Sequence, residues 1–175
     1  MLRFIPHTVT PNLVTVFRFI MIPFVLLALL TGHIPIALIL FAIAAFSDAV
    51  DGALARTRHQ VTDWGKIYDP LADKLLVGSV AAILVTLYVN PLAAFILIAL
   101  ELILIVVAMW KRTVERKVFQ AHWSGKVKMV AQSLALLALF LYMVTGYKDF
   151  VDLGTLLVYA AIAFSLVSLV VYRSV

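Results

Sequence analysis

The sequence predicts an all-α integral membrane protein of six transmembrane helices, with both termini on the cytoplasmic side. Three observations predict it. First, 65% of the 175 residues are hydrophobic and 13% are charged, against about 45–50% and about 25% in soluble domains. The mean hydropathy is +1.11. A small soluble domain buries only about two-thirds of its chain surface, too little to hide this much apolar area. Second, the apolar residues fall in long continuous runs, whereas an outer-membrane barrel would show alternating segments of about ten residues. Third, Lys and Arg crowd alternate connections between the runs. A soluble enzyme, a disordered tail and a free nucleic-acid binder are thereby excluded. The net charge of +5 is read by where the charges lie, and no nucleic-acid partner is expected.

A helix needs about 20 apolar residues to cross a hydrocarbon core of about 30 Å. On that measure the spans run over Val16–Leu30, Ile34–Ala55, Lys66–Val89, Pro91–Trp110, Val127–Tyr147 and Leu153–Tyr172. The first is short unless Asn12–Phe17 begins its helix. Thr31-Gly32-His33, Arg56–Gly65, Asn90-Pro91, Lys111–Lys126 and Gly146–Asp152 separate the runs, and Gly and Pro at such places end helices. Pro11 and Arg18 interrupt the apolar start, so no cleavable signal is expected. Residues 1–175 read as a single membrane domain, with 1–15 a juxtamembrane segment and no separate soluble part.

Arg3 and Arg18 lie at the N-terminal side. Arg56, Arg58 and Lys66 flank the second connection, and Lys111, Arg112, Arg116, Lys117, Lys126 and Lys128 the fourth; Arg173 lies near the end. The opposite side has Lys148 alone, offset by Asp149 and Asp152. The positive-inside rule places the basic side, and both termini, in the cytoplasm. Trp64, Trp110 and Trp123 fit an interfacial aromatic belt. His7 and His122 lie near the same interface without metal-like spacing. The location expected is the cell (inner or plasma) membrane, crossed several times and in contact with its lipids.

Charges at membrane depth cost roughly 2.5–3.5 kcal/mol each on insertion scales, so they mark function. Asp48, Asp51, Gly52 and Ala55 fall at i, i+3, i+4 and i+7, one helical face. Asp69 and Asp73 are four apart and share another. The short connection makes the two helices antiparallel neighbours, so four carboxylates are expected to converge at the cytoplasmic end. Such a group repels itself unless a cation neutralises it. Oxygen ligands point to Mg²⁺, Mn²⁺ or Ca²⁺ rather than zinc or copper, and the chain has no cysteine. One pair of aspartates could be a solvated helix end; four at these spacings could not easily be. Gly52 suits close helix packing or close approach of a ligand.

The pattern Asp48-x2-Asp51-Gly52-x2-Ala55-Arg56-x8-Gly65-x3-Asp69-x3-Asp73 resembles the signature of the CDP-alcohol phosphotransferase family. Its eight positions span 26 residues. Pro11-Asn12-Leu-Val-Thr15-Val-Phe-Arg18 is similar to the N-terminal motif of members that make phosphatidylglycerophosphate. Gly125-Lys126-Val-Lys128, followed by Gln132, resembles their stretch before the fifth span. Leu100 and Ala108 depart from that pattern, standing where those members commonly carry arginines; Glu101, the fourth-span acidic residue, is kept.

The resemblance implies transfer of a phosphatidyl group from CDP-diacylglycerol to an alcohol, with release of CMP. It implies two divalent ions, Mg²⁺ or Mn²⁺, bridged by Asp48 and Asp69 and completed by Asp51 and Asp73, with Asp73 also taking the proton of the attacking hydroxyl. It places Gly52, Ala55, Arg56, Thr62 and Gly65 at the CDP-lipid. Asn12 and Thr15 fit the nucleotide end, though helix capping explains them nearly as well. Lys111, Arg112, Arg116, Lys126 and Lys128 suit a phosphorylated acceptor such as glycerol 3-phosphate, and equally suit anionic lipid heads. Relatives are homodimers, so a homodimer is expected. The same chemistry with another acceptor (cardiolipin, inositol-phosphate or ether-lipid synthesis) stays open. A divalent-cation transporter is a distant alternative, because transport needs a site near mid-membrane.

Overall fold

The computed structural model describes residues 11–58, 65–114 and 123–174, with side chains at 15–47, 71–107, 110 and 123–170. Six helices occupy them: α1 (Pro11–Leu30), α2 (Ile34–Arg58), α3 (Gly65–Tyr88), α4 (Pro91–Val114), α5 (Trp123–Thr145) and α6 (Lys148–Ser174). Three carry stretches long and apolar enough to cross a membrane: Leu71–Tyr88, Trp123–Thr145 and Lys148–Val170. The shorter apolar stretches are Thr15–Leu30, Ile34–Ser47 and Pro91–Val107. The expectation that Asn12–Phe17 starts the first helix holds, since α1 begins at Pro11. Several helices outrun their apolar runs, α2 to Arg58, α4 to Val114 and α6 at both ends. Hydropathy marks where lipid would touch the chain, whereas backbone pairing continues as long as propensity allows.

The breaks are chemically explicit. Gly32 ends α1 at φ 79°; its N–H donates to Leu29 O and that of His33 to Ala28 O, the paired bonds that a left-handed cap supplies. Gly146 does the same after α5 at φ 75°, donating to Tyr142 O at 2.7 Å. Asn90 caps α4: its Oδ1 accepts the Leu92 N–H at 2.7 Å, with Pro91 at the first helical position, where its missing N–H costs nothing.

The chain forms two compact units, residues 1–79 and 80–175. In the first, α1 and α2 make an antiparallel hairpin. Val25, Ala28 and Leu29 on α1 and Ala37, Phe41 and Ala44 on α2 are its buried apolar side chains. Thr15 and Arg18 continue the α1 stripe and have no solvent exposure at all.

In the second unit α6 packs against α5 and α4. Ser124 and Ser168 hydrogen-bond across α5 and α6 at 2.9 Å, and Trp123 meets Phe164 edge-on. Tyr88 and Tyr142 meet edge-on with centroids 5.5 Å apart. The α5–α6 seam is tightest at Gly154. A Cβ there would lie 2.9 Å from Leu139 Cδ2 and 3.4 Å from the Ala135 carbonyl oxygen. Small residues permit such backbone approach where no hydrophobic effect drives helices together. Overpacking costs typically 1–3 kcal/mol. Gly154→Ala is expected to lower the thermal midpoint in detergent modestly, because the end of Leu139 must shift. Gly154→Leu should lower it much further, and a Leu variant as stable as the native protein would contradict this seam.

Candidate active site

Both halves of the aspartate pattern lie on continuous helix in the first unit. Asp48, Asp51, Gly52, Ala55 and Arg56 fall in the last turns of α2, and Gly65, Asp69 and Asp73 in the first turns of α3. The helical register assumed from the spacing is therefore the backbone's own. Asp73 is half-buried. The side chains of the other seven lie outside the described residues, as do those of Asn12, Lys111 and Arg112; Thr62 and Arg116 fall outside altogether. Among the described residues no group of three or more His, Asp or Glu side chains gathers into a metal site. The expected convergence of the four carboxylates falls outside the described residues.

Thr15 sits inside α1, a full turn past its start, and is completely buried. Helix capping does not explain it there. Arg18, one turn further on, is equally buried. An arginine inside an apolar helical stretch is costly and retained for function or for a specific partner.

The two lysines of the Gly125-Lys126-Val-Lys128 motif separate. Lys126 is exposed. Lys128 is 4% exposed and donates from Nζ to Glu101 Oε1 of α4 at 2.6 Å. Glu101 is itself 8% exposed, and its second oxygen, Oε2, has no hydrogen-bond partner. Gln132, one turn beyond Lys128 on the same face of α5, is 3% exposed. Sequence reasoning did not pair Glu101 with Lys128, which stand 27 positions apart. The available signal was that both are charges inside apolar helices, each needing a partner.

The model of the CDP-alcohol phosphatidyltransferase family matches residues 8–167. The chain belongs to that family. Its members are generally dependent on divalent metal. A protein of Shigella flexneri serotype 5b (strain 8401), named CDP-diacylglycerol–glycerol-3-phosphate 3-phosphatidyltransferase, is 35% identical over 175 residues, covering 94% of this chain and 92% of the relative. A protein of Escherichia coli (strain K12) with the same name is 38% identical over 137 residues, covering 72% of this chain and 73% of the relative. The family match takes in every aspartate of the pattern as well as Thr15, Arg18, Glu101, Lys128 and Gln132. As a member of this family the chain is a transferase. Four aspartates in the pattern and no cysteine in the chain suit a divalent ion that takes hard oxygen ligands.

Proposed function

We propose that this enzyme transfers the phosphatidyl group of CDP-diacylglycerol to glycerol 3-phosphate, giving phosphatidylglycerophosphate and CMP. The observation that carries the reading is similarity along nearly the whole chain to a protein named for that reaction, covering 94% of one chain and 92% of the other. Asp48, Asp51, Asp69 and Asp73 would hold two Mg²⁺ or Mn²⁺ ions, which when bound neutralise the diphosphate and the charge developing on CMP.

Asp73 takes the proton of the acceptor's primary hydroxyl, and that oxygen attacks the phosphorus bearing the diacylglycerol. A new P–O bond forms, the diphosphate P–O bond breaks, and its electron pair leaves with CMP. Gly52, Ala55, Arg56, Thr62, Gly65, Asn12 and Thr15 form the CDP-lipid side. Lys126 and Lys128, with Lys111, Arg112 and Arg116, form the acceptor side, where charge-assisted bonds suit a phosphate monoester.

The reading includes six membrane crossings with both termini cytoplasmic, one domain over 1–175, a place in the cell membrane and assembly as a homodimer. The asymmetry of Lys and Arg supports the orientation. Three apolar stretches long enough to cross, with shorter apolar stretches on the other three helices, support the crossings.

The test is CMP release from CDP-diacylglycerol by purified protein against a panel of acceptors. Glycerol 3-phosphate should give the highest kcat/KM, with glycerol a poor acceptor because it lacks the phosphate. CMP release with phosphatidylglycerol or inositol phosphate, and none with glycerol 3-phosphate, would replace the acceptor and keep the chemistry.

A further inference from the structure

Arg18 of α1 is the largest fully buried side chain among the described residues. It is a permanent cation, and a buried charge is retained with a partner of opposite sign or for a functional task. Arg18 is not without a partner. The acidic residues of the first unit are Asp48, Asp51, Asp63, Asp69 and Asp73, and all but Asp63 belong to the aspartate pattern. On α2, the helix packed against α1, the acidic residues are Asp48 and Asp51.

The register of the hairpin brings the arginine and these aspartates level. Ala37, Phe41 and Ala44 are buried on α2. Asp48 and Asp51 stand four and seven places beyond Ala44, on the same face of a continuous helix. Arg18 lies 12 places before Leu30, the end of α1, and Asp48 lies 14 places after Ile34, the start of α2. At a rise of about 1.5 Å per residue, these are about 18 Å and about 21 Å from the connecting turn. The Cα–Cβ bonds of a helix tilt toward its N-terminus, which on α1 is the direction away from the turn, toward the level of Asp48. Nearer the turn the seam is apolar, with Val25, Ala28 and Leu29 on one helix and Ala37, Phe41 and Ala44 on the other. Charge thus enters both stripes at the same height.

We propose that Arg18 is a positioning residue for the metal centre, acting through Asp48. This rests on the reading above that Asp48, Asp51, Asp69 and Asp73 hold divalent ions, and it adds a residue which that reading leaves without a task. Metal-ligating carboxylates are oriented by hydrogen-bond partners outside the metal's own shell. A guanidinium suits that work, because its rigid fork offers a carboxylate two parallel N–H bonds and its charge is never lost. Lysine in the same place would keep the charge and lose the fork. A counter-charge kept only for folding would leave the affinity for the ions unmoved.

Mn²⁺ binding to purified, metal-stripped protein, followed by the electron paramagnetic resonance signal of the free ion, reads the centre without turnover. Loss of an outer-shell partner typically costs about ten- to a hundredfold in metal affinity or activity, so Arg18→Met should raise the Mn²⁺ Kd about tenfold or more. Arg18→Lys should raise it about threefold or more, since a point charge does not replace a two-bond fork. In CMP release the half-saturating Mg²⁺ concentration should rise in parallel, while the KM for CDP-diacylglycerol at saturating Mg²⁺ returns close to the native value. In an Asp48→Asn background Arg18→Met should cost little more in Mn²⁺ affinity, because groups that act through one another are not additive.

Native Mn²⁺ affinity in a folded Arg18→Met protein would make the residue a structural counter-charge and overturn the proposal. So would a full, additive loss in the Asp48→Asn background. A raised CDP-diacylglycerol KM at saturating Mg²⁺ with native Mn²⁺ affinity would put the guanidinium on the diphosphate and overturn it too. Should Arg18→Met fail to fold, Arg18→Lys decides, and native Mn²⁺ affinity there overturns the proposal as well. A native protein that binds no Mn²⁺ would instead remove the metal reading on which it rests.

Discussion

Asp73→Asn is expected to lose at least a hundredfold in turnover while retaining much of its binding to CDP-diacylglycerol. The amide keeps the shape of the carboxylate and removes its ability to take a proton. A positioned general base contributes roughly 10²–10⁴-fold, so the loss should fall in kcat and spare the CDP-lipid KM. Asp73 is half-buried on α3, three residues from the fully buried Leu76, which anchors that part of the helix independently of the carboxylate. The variant should therefore fold, and its thermal midpoint checks that it has. Single-turnover CMP release measures the chemical step directly. A variant with more than about a tenth of the native rate would remove Asp73 from the role of base.

Stripping divalent ions should have an equally large effect. With excess EDTA, CMP release should stop, and Mg²⁺ or Mn²⁺ should restore it. The reason is electrostatic: in the proposed site, Asp48, Asp51, Asp69 and Asp73 would repel a diphosphate without cations between them. Asp48→Asn should weaken the restoring ion, shifting the half-saturating Mg²⁺ concentration upward, whereas Asp73→Asn should shift it less than it lowers kcat. Full turnover in excess EDTA would overturn the metal assignment.

The fold was largely legible because it follows from composition and punctuation. Gly32, Asn90-Pro91 and Gly146 mark breaks in the sequence, and at each the backbone shows the cap that the residue type supplies. Helix ends such as Arg58 and Val114 were not legible from hydropathy, because polar residues continue a helix as readily as they end it. The aspartate pattern was legible as spacing, and α2 and α3 run through it as helix.

The proposed acceptor side was less so. Lys126 and Lys128 look alike in sequence, yet one is exposed and the other is buried against Glu101. Which lysine turns inward depends on which partner α4 presents, a tertiary fact that no local periodicity encodes. Gly154 likewise reads as an ordinary small residue until Leu139 and Ala135 are found against it.

The central claim is that this chain joins the phosphatidyl group of CDP-diacylglycerol to glycerol 3-phosphate. It is tested most directly by supplying purified protein with CDP-diacylglycerol, Mg²⁺ and radiolabelled glycerol 3-phosphate, and measuring CMP and lipid-soluble label together. The account predicts that they appear in equal amounts, with the label in phosphatidylglycerophosphate. CMP released with the label left in the aqueous phase would contradict it.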